Sequence, residues 1–154
     1  MLTTTLNLGW ALLFEEPLSR GLWLGKGTPR AWWRAGEIIA LHNAATRYGR
    51  LSYTAVVGRA TVKINVSVPE AAWADAAAGD ACTSKTTEQA WCAAPRGGLM
   101  VRLRLPDGAK LGQVSIGAGE LWTGRADSET LAFSLEEMAV PGLLLKLQSI
   151  LVTY

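Results

Sequence analysis

Strict alternation of apolar and polar residues is the feature that most restricts this chain. In Thr61-Val62-Lys63-Ile64-Asn65-Val66-Ser67-Val68 every second side chain is apolar. Successive side chains of a strand point to opposite faces, so this run has one dry face and one wet face. A helix would need an apolar repeat of about 3.6 residues instead. Residues 99–105 repeat the alternation, with Arg102 and Arg104 on the wet side. Residues 131–135 do so again, and Val114 and Ile116 share a face in a shorter strand. Residues 49–57 and 143–154 are rich in β-formers, and the second run slips phase near Ser149, where a bulge is expected. Weaker strands are expected over residues 10–15, 21–24 and 37–42.

The breaks between these runs are turn-like. Pro106-Asp107-Gly108, Val57-Gly58-Arg59, Gly117-Ala118-Gly119 and Val140-Pro141-Gly142 each carry residues that favour tight turns. Short alternating strands with such turns predict an all-β, antiparallel β-sandwich of jelly-roll type, with eight to ten strands in one domain spanning residues 1–154. Residues 69–97 stand apart. They hold seven alanines between Ala71 and Ala81, together with Trp73, Trp91, Cys82 and Cys92, and no alternation. They read as an insertion loop between two core strands, partly helical because alanine is the best helix former.

Composition narrows the function classes. With 154 residues, 49% of them hydrophobic, the chain can bury a core and is not disordered. The net charge of +2 is modest for a nucleic-acid binder, and none is expected as a partner. One histidine and two cysteines make a His/Cys zinc site a poor fit, and nothing in the sequence calls for a metal or a cofactor. Cys82 and Cys92 are close enough in sequence to bridge in an oxidising compartment, or to stay as two free thiols. Asn65-Val66-Ser67 matches the glycosylation sequon. The first residues lack a basic stretch and close on Glu15-Glu16, so no signal peptide is read there. No apolar run approaches the roughly 18 residues of a membrane span, so a membrane is not expected as a partner. The compartment itself is left open.

Familiar chemical motifs fail. Gly25-Lys26-Gly27-Thr28-Pro29-Arg30 begins like a dinucleotide fingerprint but ends in Arg and does not open a helix. His42 is the sole histidine and falls in an apolar strand run. Glu15-Glu16 and Glu136-Glu137 are neighbours, and neighbours on a strand face opposite ways. Trp32-Trp33 is more informative. On an extended segment one ring faces in and one faces out, and an outward indole beside Arg30 and Arg34 would stack on a sugar-like ligand or cover a neighbouring domain. In Arg47-Tyr48-Gly49, Gly49 suits a turn with positive φ, Tyr48 packs its ring and keeps its hydroxyl wet, and Arg47 anchors the turn or pairs across a boundary.

Two stretches carry a family resemblance. Leu24-Gly25-Lys26-Gly27-Thr28-Pro29-Arg30-Ala31-Trp32 followed by Gly36-Glu37-Ile38-Ile39 is one. Ala45-Thr46-Arg47-Tyr48-Gly49 followed by Leu51-Ser52-Tyr53 is the other. With the closing strands, they resemble the C-terminal β-sandwich of large glycoside-hydrolase-like proteins that carry an (α/α)6 barrel. In such proteins the catalytic carboxylates belong to the barrel, which this chain lacks. The resemblance therefore implies a non-catalytic accessory module that packs against a catalytic domain or holds polysaccharide near one. Arg30, Trp32, Trp33, Arg47 and Tyr48 are its candidate contact residues, and self-association of the isolated chain is expected. Two other readings stand beside it. One is a small jelly-roll enzyme using loop carboxylates such as Glu37, Asp75, Asp80 or Glu120. The other is a module that binds protein partners.

Overall fold

Alternation becomes hydrogen-bonded strand wherever both neighbours can pair, and eleven strands form among the described residues. The computed structural model describes residues 11–70, 72–73, 94–106, 109–127, 129–140 and 142–154. The strands are β1 (Leu13–Glu15), β2 (Leu22–Leu24), β3 (Ile38–Thr46), β4 (Gly49–Val57), β5 (Thr61–Ser67), β6 (Leu99–Arg102), β7 (Val114–Ile116), β8 (Glu120–Leu121), β9 (Arg125–Ala126), β10 (Thr130–Phe133) and β11 (Ile150–Thr153). Two short helices, α1 (Leu135–Met138) and α2 (Leu143–Lys146), precede β11.

The strands make two sheets. One has five strands in the order β1-β2-β6-β10-β9 and the other has six in the order β3-β4-β5-β11-β7-β8. Every pairing is antiparallel except β2 with β6. The alternation sets which side is dry. Leu51, Tyr53, Ala55 and Val57 of β4 and Val62, Ile64 and Val66 of β5 are buried. Leu22 and Leu24 of β2, Leu99 and Val101 of β6, and Leu131 and Phe133 of β10 join them in one hydrophobic cluster. The two sheets thus share a core.

The hairpin of β3 and β4 turns at Arg47-Tyr48, between the paired Thr46 and Gly49. Gly49 has φ +99°, as the turn requires, and a Cβ there would lie 2.6 Å from the Pro69 ring. Upstream, β3 slips register between Leu41 and Ala44, with Asn43 at φ 51°. A bulge on an edge strand disrupts the ladder that another chain would extend.

Four expectations are corrected. Eleven strands form among the described residues where eight to ten were expected, because β8 and β9 are additional two-residue pairings. Residues 131–135 do not run as strand to their end, because Ser134 caps α1. Its hydroxyl accepts from the Glu137 N–H at 3.2 Å, and the Glu137 carboxylate accepts from the Ser134 N–H at 2.7 Å. That Ser-x-x-Glu spacing is a capping box, and it competes successfully with the alternation. Residues 143–154 are not one bulged strand. Leu144 and Leu147 are buried three apart, which is helical spacing, and the strand begins only at Ile150. Residues 99–105 pair only as far as Arg102, although Leu103 and Leu105 stay buried.

Of the insertion loop, Pro69 to Glu70 and Ala72 to Trp73 are described before the chain re-enters at Ala94. The Trp73 N–H donates to the Pro69 carbonyl at 3.0 Å, a helical turn, and its ring is fully buried. Cys82, Cys92, Trp91, Asp75 and Asp80 lie outside the described residues, as does any helix through the alanines between positions 74 and 81.

Candidate functional site

The segment joining β2 to β3 is folded on itself and is not extended. Arg30 to Trp32 form a single 3-10 turn. The expectation of one ring in and one ring out therefore loses its geometric basis. Trp33 is the buried ring, 2% exposed, and Trp32 is partly buried against the core. The Thr28 hydroxyl donates to the Gly25 carbonyl at 2.7 Å and accepts the Trp33 indole N–H at 3.0 Å. The two buried side-chain polar groups, the Thr28 hydroxyl and the Trp33 indole N–H, so find their partners within the turn. Trp33 is thus held inside the fold, with almost no ring face open to solvent.

Arg47 and Tyr48 are also engaged internally. Both the backbone N–H and the Nε of Arg47 donate to the Glu15 carboxylate, at 2.9 and 2.5 Å. The Tyr48 hydroxyl donates to the Arg20 carbonyl at 2.9 Å, and the Tyr48 carbonyl accepts the Trp73 indole N–H at 2.8 Å. Burial lifts the Tyr48 phenol above its ordinary pKa, against the opposing pull of Arg47. Glu15 belongs to the five-stranded sheet and the Arg47-Tyr48 turn to the six-stranded one. These contacts therefore clasp one sheet to the other.

Arg30 reaches a third clasp. It meets the Glu129 carboxylate at 2.5 Å and donates to the Leu105 carbonyl. Arg102 and Arg104 approach the same carboxylate at 3.6 and 3.5 Å, and Arg104 also donates to the Lys26 carbonyl at 3.3 Å. Glu129 is 13% exposed, so three cations nearly cover one acid. The alternation of residues 99–105 put Arg102 and Arg104 on one face, but nothing in the sequence named Glu129 as their counter-ion.

A second cluster was not anticipated. Phe14 and Trp23 pair across β1 and β2, and Lys26 sits over both rings, 4.3 and 4.6 Å from their centroids. The Glu16 carboxylate accepts from Ser19 at 2.7 Å and from the Trp23 indole at 3.2 Å, with Lys26 at 3.8 Å. The Ser19 bond foremost, and then the Trp23 bond, hold the Glu16 carboxyl below its usual pKa. The only signal was five such residues within 13 positions, which is too common to single out.

The two candidate loop carboxylates among the described residues, Glu37 and Glu120, do not converge. Glu37 is exposed and precedes β3, and Glu120 pairs with Lys146 at 2.5 Å in β8. Those strands are the two edges of the six-stranded sheet. Five inter-strand steps of about 4.8 Å separate them by roughly 24 Å, whereas a glycosidase pair needs about 5–9.5 Å. His42 is exposed on β3. Asn65 is exposed on β5, and its side-chain nitrogen, the atom a glycan would use, donates to the Gln148 carbonyl at 2.7 Å. Among the described residues no three His, Cys, Asp or Glu side chains group as metal ligands. Among them, too, no helix is long and apolar enough to cross a membrane.

Among the described residues, one surface is left without internal partners. Ile38 is opposite Val56, Val56 opposite Lys63, Lys63 opposite Leu151, Leu151 opposite Ser115, and Ser115 opposite Leu121. These six residues form one row across all six strands, on the side away from the core. Ile38 is 64% exposed, Leu121 60%, Val56 41% and Leu151 36%. Thr54, Asn65, Ser115 and Gln148 line a shallow concavity of about 440 Å³ along the row. No aromatic residue stands in the row.

No family model, no curated protein and no solved structure matches this chain.

Proposed function

We propose that the chain is a non-catalytic β-sandwich accessory module that acts by packing the outer face of its six-stranded sheet onto a protein partner. In the glycoside-hydrolase-like proteins it resembles, that partner would be a catalytic domain. The two sheets, sharing one core, would form the layers of the sandwich, with jelly-roll-like connections. The observation that carries the reading is the exposed aliphatic row from Ile38 to Leu121. Aliphatic side chains on four of the six strands of one row gain by leaving water together, and they offer nothing to a reacting group.

Direct sugar binding ranks below packing. A saccharide platform needs an exposed aromatic face. Trp33, Trp73 and Tyr48 are buried, and Trp23 lies under Lys26. The enzyme reading ranks lower still, since Glu37 and Glu120 occupy opposite edges of a sheet.

The test is an apolar fluorescent dye with the purified chain, alongside affinity electrophoresis through neutral polysaccharide gels. The expected result is dye binding that falls sharply in Val56→Glu and Leu151→Glu, with unchanged cooperative unfolding and no retardation by polysaccharide. A chain that binds no dye at this face, or that one polysaccharide retards in a Trp23- or Trp32-dependent way, overturns the reading.

A further inference from the structure

We infer that Arg102 and Arg104, at and just beyond the end of β6, form a binding site for a phosphate group, free or carried on a small monoester. The site belongs to the five-stranded sheet. It stands apart from the packing reading, which concerns the other sheet.

The pleat brings the two cations together. Leu99, Val101, Leu103 and Leu105 are buried, so Arg102 and Arg104 turn to the same wet side. Residues two apart on an extended chain are separated by about 7 Å. Both side chains are recessed, 33% and 26% exposed. Two like charges held this close favour an anion between them.

Glu129 meets that need only in part. Arg30 takes its Oε1 at 2.5 Å, while its Oε2 is 3.6 Å from Arg102 and 3.5 Å from Arg104. A charge-assisted hydrogen bond between such groups is about 2.7–2.9 Å long. Arg104 adds one long bond to the Lys26 carbonyl at 3.3 Å. The Arg102 Nε is buried and has no hydrogen-bond partner among the described residues. Asp127 commits its Oδ1 to the backbone N–H groups of Glu129 and Thr130, at 2.8 and 2.6 Å. Buried polar groups of a native fold are nearly all paired, so an unpaired guanidinium nitrogen marks a place for a further acceptor.

The chemistry of the acceptor follows from the donors. The Arg102 and Arg104 nitrogens flank one Glu129 oxygen. A single oxyanion, accepting on two of its oxygens with bonds of about 2.8 Å, spans such a gap. Planar guanidinium forks match carboxylate and phosphate alike. Phosphate suits this pair better. A dianion answers two cations beside a carboxylate that already has its own arginine, and a monoester offers three terminal oxygens where a carboxylate offers two. On binding, Arg102 turns its covered Nε edge onto the anion.

Calorimetric titration of the whole chain with phenyl phosphate tests the inference, in low salt at about pH 8, where a monoester is dianionic. The expected result is one site, weakened at least about tenfold in Arg102→Lys and in Arg104→Lys, which keep the charge and lose the fork. Arg59→Met, at an exposed cation between β4 and β5, should leave binding unchanged. Glu129→Gln removes the competing carboxylate and should tighten binding severalfold, a gain that damaged folding cannot mimic. Inorganic phosphate is titrated alongside. Equal affinity assigns the site to the free anion and weaker affinity to an ester, and either upholds it. The inference is overturned if no phosphate binds, if acetate binds as tightly, or if binding survives both Lys variants. Binding that falls as far in Arg59→Met, or that weakens in Glu129→Gln, overturns it too.

Discussion

The Trp33 indole N–H donates to the Thr28 hydroxyl across 3.0 Å, and that hydroxyl in turn donates to the Gly25 carbonyl. The relay is buried, with Thr28 2% exposed. It makes the stretch from Gly25 to Trp33 a fixed corner between β2 and β3. Thr28→Val keeps the shape and leaves the indole N–H unpaired, while the Gly25 carbonyl keeps the Thr28 backbone N–H at 3.2 Å. The expected loss is about 1–3 kcal/mol of unfolding free energy, the cost of one stranded buried group. Thr28→Ser should recover most of it. Urea titrations of the three proteins check this, and an undisturbed Thr28→Val would remove the relay's importance.

Glu129 is the shared counter-ion of Arg30, Arg102 and Arg104. Glu129→Gln leaves three guanidinium groups facing one another. Part-exposed pairs contribute little singly, so the expected cost is about 1 kcal/mol, shrinking as salt screens the repulsion. Thermal unfolding at low and high sodium chloride measures it. A loss that does not depend on salt would assign the effect to packing.

Tyr53 points into the core with 0% exposure, and its hydroxyl has no hydrogen-bond partner among the described residues. Burial drives its phenol well above the ordinary tyrosine pKa. Tyr53→Phe removes an unsatisfied polar atom without opening a cavity larger than one oxygen. The variant is expected to be more stable by about 1 kcal/mol. A destabilised Tyr53→Phe, in the same urea assay, would show that the hydroxyl is satisfied.

Glu16 has a lowered pKa because its charged form is held by Ser19, then by Trp23, with Lys26 adding to it. The sign follows directly. A carboxyl whose folded pKa lies below its unfolded value stabilises the fold above the unfolded value. That contribution is lost as pH falls through the folded value. The Trp23 emission, taken as the difference between the wild type and Trp23→Phe, should change in acid with a midpoint below that of an ordinary glutamate. Glu16→Gln should abolish the change. A midpoint at or above the ordinary value contradicts the arrangement.

Much of the fold is legible from residue order because alternation is a local property. Val62, Ile64 and Val66 point inward wherever β5 is placed, and the positive φ of Gly49 is written into its turn. Local rules in competition were harder to rank. Ser134 with Glu137 overrode a strand pattern, and Leu144 with Leu147 made helix where β-formers were dense. Trp33 shows the limit at the candidate site. An extended Trp32-Trp33 pair would have turned one ring outward, and with the 3-10 turn at Arg30 Trp33 is buried and Trp32 is partly buried.

The sequence by itself determined the β class, the inward sets of the long strands, the tight turn at Gly49 and the lack of a metal or cofactor motif. Only the tertiary structure decided which strands are neighbours. That ordering brings Glu15 to Arg47, Glu129 to three arginines, and Ile38, Val56, Leu151 and Leu121 into one row. The physical reason is range. Side-chain direction along a strand is fixed by the pleat within two residues. Strand order is fixed by burial summed over the whole core, to which residues far apart in the chain contribute together.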